Sequence, residues 1–414
     1  MSELVRKLPA VSGTIAARIA VLVTGLAASI VTARALGPEG RGQYYAIMTL
    51  GALISQFGNL GLSSSNTYLA ARDPRISWSL VVNGVGVCIA VGLATAVFIF
   101  AAGRVISEWL HVPPSLLWAA CVIGPAMLCF TLGSSVLVAN ERFAALNVWQ
   151  IVNALLAVVL LITSAVIGAG VTGFVSATAI AAAATVVALT VHLARGERPD
   201  FRFDAHLFKR GVSFASRAYL ALLIGFLIQR AAVTLLATYR DAHEIGLFSI
   251  AAQIYDVLVI VPTSIGMVLF PMLIRQGGSS WATTKQALGA TVVLMSVSCV
   301  AAAVLGKPVI PLVFGAQFAP SFDVLLWLLP GVLLISITTV LSQFLVSEGF
   351  PFGLVLLWGL GLATCIVAGI PLTRAFGAPG AAAAQSIGTG AVCVGVALLT
   401  MRRVYKRNLQ HVCA

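Results

Sequence analysis

The chain has 414 residues, of which 60% are hydrophobic and 9% charged, and it carries a formal net charge of +12. Water-soluble domains hold roughly 25% charged residues, so a deficit this large excludes an ordinary soluble enzyme. Nearly every window of about 20 residues is apolar enough to cross a hydrocarbon core roughly 30 Å thick. Length here counts membrane helices rather than domains. The basic residues lie scattered between apolar runs and form no stripe interleaved with aromatics, so they argue for membrane orientation over nucleic-acid binding.

In chain order, the charged and Gly/Pro-rich breaks divide the sequence into twelve spans. Six lie near 13–33, 44–70, 77–102, 114–139, 147–168 and 171–193. Six more follow near 212–238, 245–273, 286–306, 321–346, 351–372 and 378–400. The first follows Arg6 and Lys7 as a signal peptide would, but eleven spans come after it, and it reads as a retained helix. The segment 195–210 (RGERPDFRFDAHLFKR) is the longest polar connection and falls at the midpoint. It reads as a cytoplasmic linker between an N-lobe (1–194) and a C-lobe (211–414) that ends in a short basic tail.

Sidedness follows from Lys and Arg in the connections. With the N-terminus in the cytoplasm, sixteen fall on that side, among them Arg72, Arg75, Arg142, Arg195 and Arg402. Six fall outside: Arg34, Arg41, Arg104, Arg240, Lys307 and Arg374. Both termini are therefore expected in the cytoplasm.

The halves also match each other. Pro113 pairs with Pro320, Gly124 with Gly331, Asn140-Glu141-Arg142-Phe143 with Ser347-Glu348-Gly349-Phe350, and Gly170-Val171-Thr172-Gly173 with Gly377-Ala378-Pro379-Gly380, all at an offset of 207 residues. Ala16-Ala17-Arg18 matches Ala215-Ser216-Arg217 at 199. An even number of spans per half makes the repeats parallel, as in transporters that rock about a midplane site. The expected fold is all-α and integral to the membrane, two pseudo-symmetric six-helix lobes with a central cavity.

No GxSxG, HExxH or Walker loop is present, and the five histidines stand singly at span ends or in connections. The seven cysteines show no CxxC or Cys/His spacing and read as small hydrophobes. No enzyme activity, cofactor or metal is expected.

Charges inside a bilayer are costly, about 2.5 kcal/mol or more at a helix centre, and so are functional candidates. Arg18 and Arg217 take matched positions in the first helix of each half, near the cytoplasmic end. One reading has both capture a diphosphate with planar guanidinium donors; the other has each snorkel to the headgroups and anchor its helix. Arg230 and Asp256 sit on consecutive helices, about 10 Å and 15 Å from the outward connection at the rise of an α-helix. They serve either as a gate and cation-coupling pair or as a pin between two helices. Polar residues within spans, including Gln56, Asn59, Asn83, Gln150 and Gln385, read as helix-to-helix contacts or as partners for sugar hydroxyls. Pro125, Pro262, Pro271 and Pro330 are expected to kink or break their spans.

The run Ala33-Arg34-Ala35-Leu36-Gly37-Pro38-Glu39-Gly40-Arg41-Gly42-Gln43-Tyr44 resembles the ARxLGPxxxGxY connection after the first helix of bacterial polysaccharide-export flippases. Gly58-Asn59-Leu60-Gly61-Leu62 resembles the end of their second helix, and Ile245 to Ala252 with Val261-Pro262 and Leu269-Phe270-Pro271 resembles their eighth. The resemblance is to the O-antigen and exopolysaccharide repeat-unit flippases of the MATE-like multidrug/oligosaccharidyl-lipid/polysaccharide exporter superfamily. It implies transport of polyprenyl-diphosphate-linked oligosaccharides across the bacterial inner membrane for lipopolysaccharide or exopolysaccharide synthesis. The implied partners are the lipid-linked oligosaccharide, membrane lipids, a polysaccharide polymerase and glycosyltransferases, with no nucleic acid. Members often carry an aspartate beside the basic residue of helix seven; here Ile228-Gln229-Arg230-Ala231-Ala232 has none. Two alternatives stand: a cation-coupled multidrug exporter, and a membrane glycosyltransferase or polymerase. The short outward loops leave little room for the polar clusters of the last.

Overall fold

The computed structural model describes residues 2–195, 202–276, 280–347, 349 and 352–413, with side chains outside 2–16, 214–218, 275–276, 280 and 406–413. Twelve α-helices follow one another: α1 (Ser2–Asn59), α2 (Leu62–Arg72), α3 (Ser77–Leu110), α4 (Ala120–Ala139), α5 (Phe143–Val166), α6 (Gly170–Ala194), α7 (Ala205–Tyr239), α8 (Ala242–Gln276), α9 (Ser280–Phe314), α10 (Ser321–Ser347), α11 (Phe352–Phe376) and α12 (Ala378–Cys413). A chain with so few charges must pair its peptide groups internally when it enters lipid, and a helix does so within one segment. Among the described residues, eleven helical stretches are long and apolar enough to cross a membrane. The first, Ala17–Asn59, contains a kink at Gly37 (φ 66°, ψ −179°), and its two arms counted separately bring the spans to twelve. This is a multi-pass, all-α membrane fold.

The connection expected near 34–43 is helical on both sides of Gly37. One residue in a conformation that only glycine adopts freely turns the chain, and Pro38 follows it without an amide hydrogen. A second interruption falls inside the expected 44–70 span. Leu60 (φ 47°) and Gly61 (φ 80°) separate α1 from α2. Asn59 bridges the gap: its Oδ1 accepts from Ser63 N at 3.1 Å, and its Nδ2 donates to Ser63 Oγ at 3.1 Å. The carbonyl of Gln56, in the last turn of α1, accepts from the Tyr219 hydroxyl at 2.7 Å.

By internal contacts the chain forms two compact units, Met1–Leu223 and Ile224–Ala414. Similar packing recurs in each. In the first, α4 lies against α3 and α6, and α5 against α6; in the second, α10 lies against α9 and α12, and α11 against α12. Gly170 and Gly377, matched at the 207-residue offset, adopt the same left-handed conformation (φ 57° and 62°) at the start of α6 and α12. Gly124 and Gly331 do not share an environment. Gly124 abuts Ile54 of α1, whereas Gly331 abuts Ser386 of α12, so equal spacing there does not place equal surfaces in contact.

Residues 196–201 of the expected linker lie outside the described residues. Its later part is ordered against α3. The Asn83 side chain uses both ends of its carboxamide on the backbone of Asp204, donating from Nδ2 to the carbonyl at 2.9 Å and accepting from the amide at 2.8 Å. Asp204 Oδ1 in turn accepts from Leu207 N at 2.9 Å and caps α7. Asn83 therefore serves the polypeptide itself.

Pro125, Pro262, Pro271 and Pro330 lie inside continuous α4, α8 and α10, and no helix ends at them. At Pro330 the repair is visible. The Ser386 hydroxyl of α12 donates to Trp327 O at 2.6 Å and accepts from Gly331 N at 3.1 Å. It thus stands in the place of the direct bond between those two backbone groups. The approach requires glycine, because a Cβ on residue 331 would lie 2.7 Å from Ser386 Oγ. Replacing Ser386 with Ala strands a carbonyl and an amide away from water, and we expect a loss of about 1–3 kcal/mol. Thermal unfolding of the purified protein in detergent should show a lower midpoint for S386A than for a surface control such as Ser298→Ala.

Candidate functional site

Polar networks centred on an arginine form in two places, one in each unit. In the second unit, α7 carries Arg230 and α8 carries Asp256. Nine residues separate Arg230 from the end of α7 and fourteen separate Asp256 from the start of α8. At 1.5 Å per residue they lie roughly 14 Å and 21 Å along their helices from the short connection, deeper than the sequence count gave. The Arg230 guanidinium stacks over Phe226, with 5.4 Å from Cζ to the ring centroid. Its charge interacts with that of Asp256. Asp256 is exposed on one side, while the adjacent Tyr255 is buried and interacts with the buried Gln385 of α12. Arg230, Tyr255, Asp256 and Gln385 thus form one polar cluster on three helices.

Arg18 sits exposed on the first arm of α1. Arg217 is on α7, and its side chain lies outside the described residues. In the first unit the buried cation is a different one. Arg41, expected in an outward loop, is only 4% exposed. It donates to the Thr32 hydroxyl through Nη1 and to the Ser29 hydroxyl at 3.0 Å through Nη2. Its guanidinium lies over Tyr44, with Cζ 5.7 Å from the ring centroid, and the Tyr44 hydroxyl meets Thr178 Oγ1 of α6 at 3.0 Å. The network ties the two arms of α1 across the Gly37 kink and fastens them to α6.

Arg41 reads as an outward loop residue because it lies between two apolar runs. The signal available was Ser29 and Thr32, one turn apart on the preceding helix, offering hydroxyls to a returning cation. The break at Leu60–Gly61 falls in the run that resembles the end of the family's second helix, where Gly58, Asn59 and Gly61 are poor helix formers together, although apolar composition continues the span to 70. Among the described residues, no group of three or more His, Cys, Asp or Glu side chains is placed to hold a metal ion.

A family model described as "Polysaccharide biosynthesis protein" matches residues 10–276. The chain belongs to that family. No curated protein sequence matches it. Its fold is that of several solved transporters. A structure of the lipid II flippase MurJ in an inward closed conformation is 14% identical, covers 92% of this chain and 86% of its own, and has a TM-score of 0.79. An inward-facing multidrug resistance MATE family transporter of the MOP superfamily is 15% identical, with coverage of 94% and 95% and a TM-score of 0.74. A MOP superfamily transporter from Pyrococcus furiosus is 15% identical, with coverage of 96% and 94% and a TM-score of 0.63. The chain is thus a member of the polysaccharide biosynthesis family with a MATE-like membrane fold.

Within this family member, the Arg41 network makes a sharp prediction. Hydrogen bonds to a charged group contribute about 1.5–3 kcal/mol each. Lysine brings a point charge that cannot fork to two hydroxyls and stack on a ring at once. Both Arg41→Met and Arg41→Lys should lower folded yield and melting temperature in detergent, and a lysine variant as stable as the parent would contradict the geometry.

Proposed function

We propose that the chain is a flippase that moves polyprenyl-diphosphate-linked oligosaccharide repeat units across the bacterial inner membrane by alternating access. The observation that carries this reading is the family match over residues 10–276. The likeness of its fold to a lipid II flippase and to multidrug transporters agrees with it. In this reading, residues 1–194 and 211–414 are the two repeats and 195–210 joins them. The sugar-bearing lipid is supplied by glycosyltransferases and passes to a polymerase after translocation.

The residues divide by chemistry. A diphosphate asks for fixed cations, and Arg18, Arg217 and Arg230 are arginines on otherwise apolar helices. Arginine remains charged in a low dielectric and presents paired donors to phosphate oxygens. Asp256 beside Arg230 couples or gates: protonation or cation binding at the carboxylate frees the guanidinium for the diphosphate, and loss of the cation restores the pair. The sign is set by electrostatics, since a neutralised Asp256 no longer competes with the lipid for the same positive charge.

Deletion in the source bacterium should accumulate lipid-linked oligosaccharide on the cytoplasmic leaflet and reduce surface polysaccharide, with both reversed by the intact gene. An unchanged leaflet distribution after deletion would end the flippase reading. Asp256→Asn, at matched abundance, should abolish the dependence of transport on the membrane ion gradient. A second reading, cation-coupled export of small molecules, is favoured by the exposed Asp256 and by the likeness to multidrug transporters. It predicts greater susceptibility of the deletion strain to lipophilic cations with surface polysaccharide intact.

A further inference from the structure

The interruption of the second span leaves α2 as a helix of eleven residues that begins inside the apolar region of the chain. Directly below the break, α2, α4 and α5 of the first unit line an open groove of about 300 Å³. Ser63, Ser64 and Thr67 face it from α2, Thr131 and Ser134 from α4, and Gln150 from α5. Only Val138 and Leu146 in its lining are apolar, and among the described residues no charged side chain lines it. By contrast, the groove between α1 and α3, about 460 Å³, is lined by leucine, isoleucine, valine, alanine and phenylalanine, with Gly58 and Thr95 as the exceptions. That second groove is what a helix bundle facing hydrocarbon ordinarily presents. The first is not.

The hydroxyls of the polar groove are set in a particular way. Thr131 Oγ1 donates to Met127 O at 2.8 Å within α4, and Thr67 Oγ1 points to Ser63 O at 3.0 Å within α2 and to Ser135 O of α4 at 3.3 Å. With their protons directed to the backbone, their oxygens keep lone pairs to accept a hydrogen bond from an occupant. Gln150 adds a carboxamide, which donates and accepts at once. Ser64 and Thr131 are exposed. The Ser134 hydroxyl is buried in the wall with no hydrogen-bond partner, a cost that rotation toward a polar occupant would relieve.

Such a surface selects a neutral ligand dense in hydroxyls. Hydrocarbon satisfies none of these groups. A diphosphate needs the positive charge that the groove lacks. We infer that the groove holds one sugar ring of the translocated oligosaccharide, so that carbohydrate and diphosphate are recognised in different parts of the chain. The inference rests on the flippase reading and adds to it the place where the sugar is read.

The test uses the full-length protein in lipid nanodiscs and two probes. One is polyprenyl diphosphate without sugar; the other is the lipid-linked oligosaccharide pool extracted from the deletion strain. The triple variant Ser64→Val, Thr131→Val, Gln150→Leu should bind the oligosaccharide-bearing lipid at least ten-fold more weakly than the parent and bind the bare diphosphate lipid as the parent does. Equal binding of the pool by variant and parent overturns the inference, as does an equal loss for both probes. Should the triple variant fold poorly, Gln150→Leu alone is read the same way, with a three-fold or greater loss expected for the sugar-bearing lipid only. If the parent gene restores surface polysaccharide while the triple variant restores it equally well, the groove assignment fails and the flippase reading survives. If the parent gene restores nothing, both fail.

Discussion

A peptide group unpaired in hydrocarbon costs several kcal/mol, and the whole molecule is arranged around avoiding that cost. At several interruptions of these helices, a side chain from elsewhere in the chain completes the hydrogen bonding. Ser386 bridges Trp327 O and Gly331 N beside Pro330. Tyr219 takes the Gln56 carbonyl above the Leu60–Gly61 break. Asn83 copies a peptide to hold Asp204 at the start of α7. At the α7–α8 connection, Arg240 donates to the carbonyls of Thr373 (3.1 Å) and Arg374 (2.7 Å), and the Glu244 carboxylate accepts from Ala378 N at 2.8 Å. One short connection therefore caps the end of α11 and the beginning of α12, each with the charge its helix dipole favours. These repairs allow a fold of otherwise featureless apolar helices to have breaks at fixed places.

Small residues determine how closely those helices pack. On α11 and α12, Gly361, Cys365, Ala384 and Gly388 form a seam in which a Cβ on Gly388 would lie 2.6 Å from that of Cys365. Helices gain no hydrophobic advantage from meeting inside lipid, so close backbone approach and dispersion carry the association. Larger buried side chains such as Phe344 sit toward the α8 and α10 side of the same unit. The second unit thus combines a tight small-residue seam with a bulky core, and the cluster of Arg230, Tyr255, Asp256 and Gln385 lies on α7, α8 and α12, the helices flanking them.

The spans and their order were legible because a bilayer imposes a length and a composition that few residues violate. Arg230 and Asp256 were legible for the same reason, as charges where charge is expensive. Hydropathy could not reveal which polar residues face one another. Arg41 looked like a loop residue because a single glycine at position 37, rather than a polar loop, turns the chain. Asn83 and Asn59 looked alike in sequence, yet one binds a distant backbone and the other bridges a break in its own helix. Gly331 matched Gly124 by spacing but serves a serine on α12. These are contacts between segments far apart in the chain, and periodicity within a segment carries no information about them.

The two polar regions differ in a way that bears on how a lipid-linked sugar can be handled at all. Charge gives strong attraction with little discrimination, since every lipid diphosphate presents the same oxygens. Hydroxyls and amides give less attraction but more selection, because a missing or misplaced partner leaves a polar group unpaired. A carrier that put both functions on one surface would hold the shared diphosphate tightly whatever sugar it bore. On the proposed reading, assigning the diphosphate to arginines and the sugar to the neutral groove of α2, α4 and α5 lets affinity for the carrier and choice of sugar vary independently. On this view, members of the family that carry different repeat units should differ in the groove residues while keeping arginine where Arg230 stands.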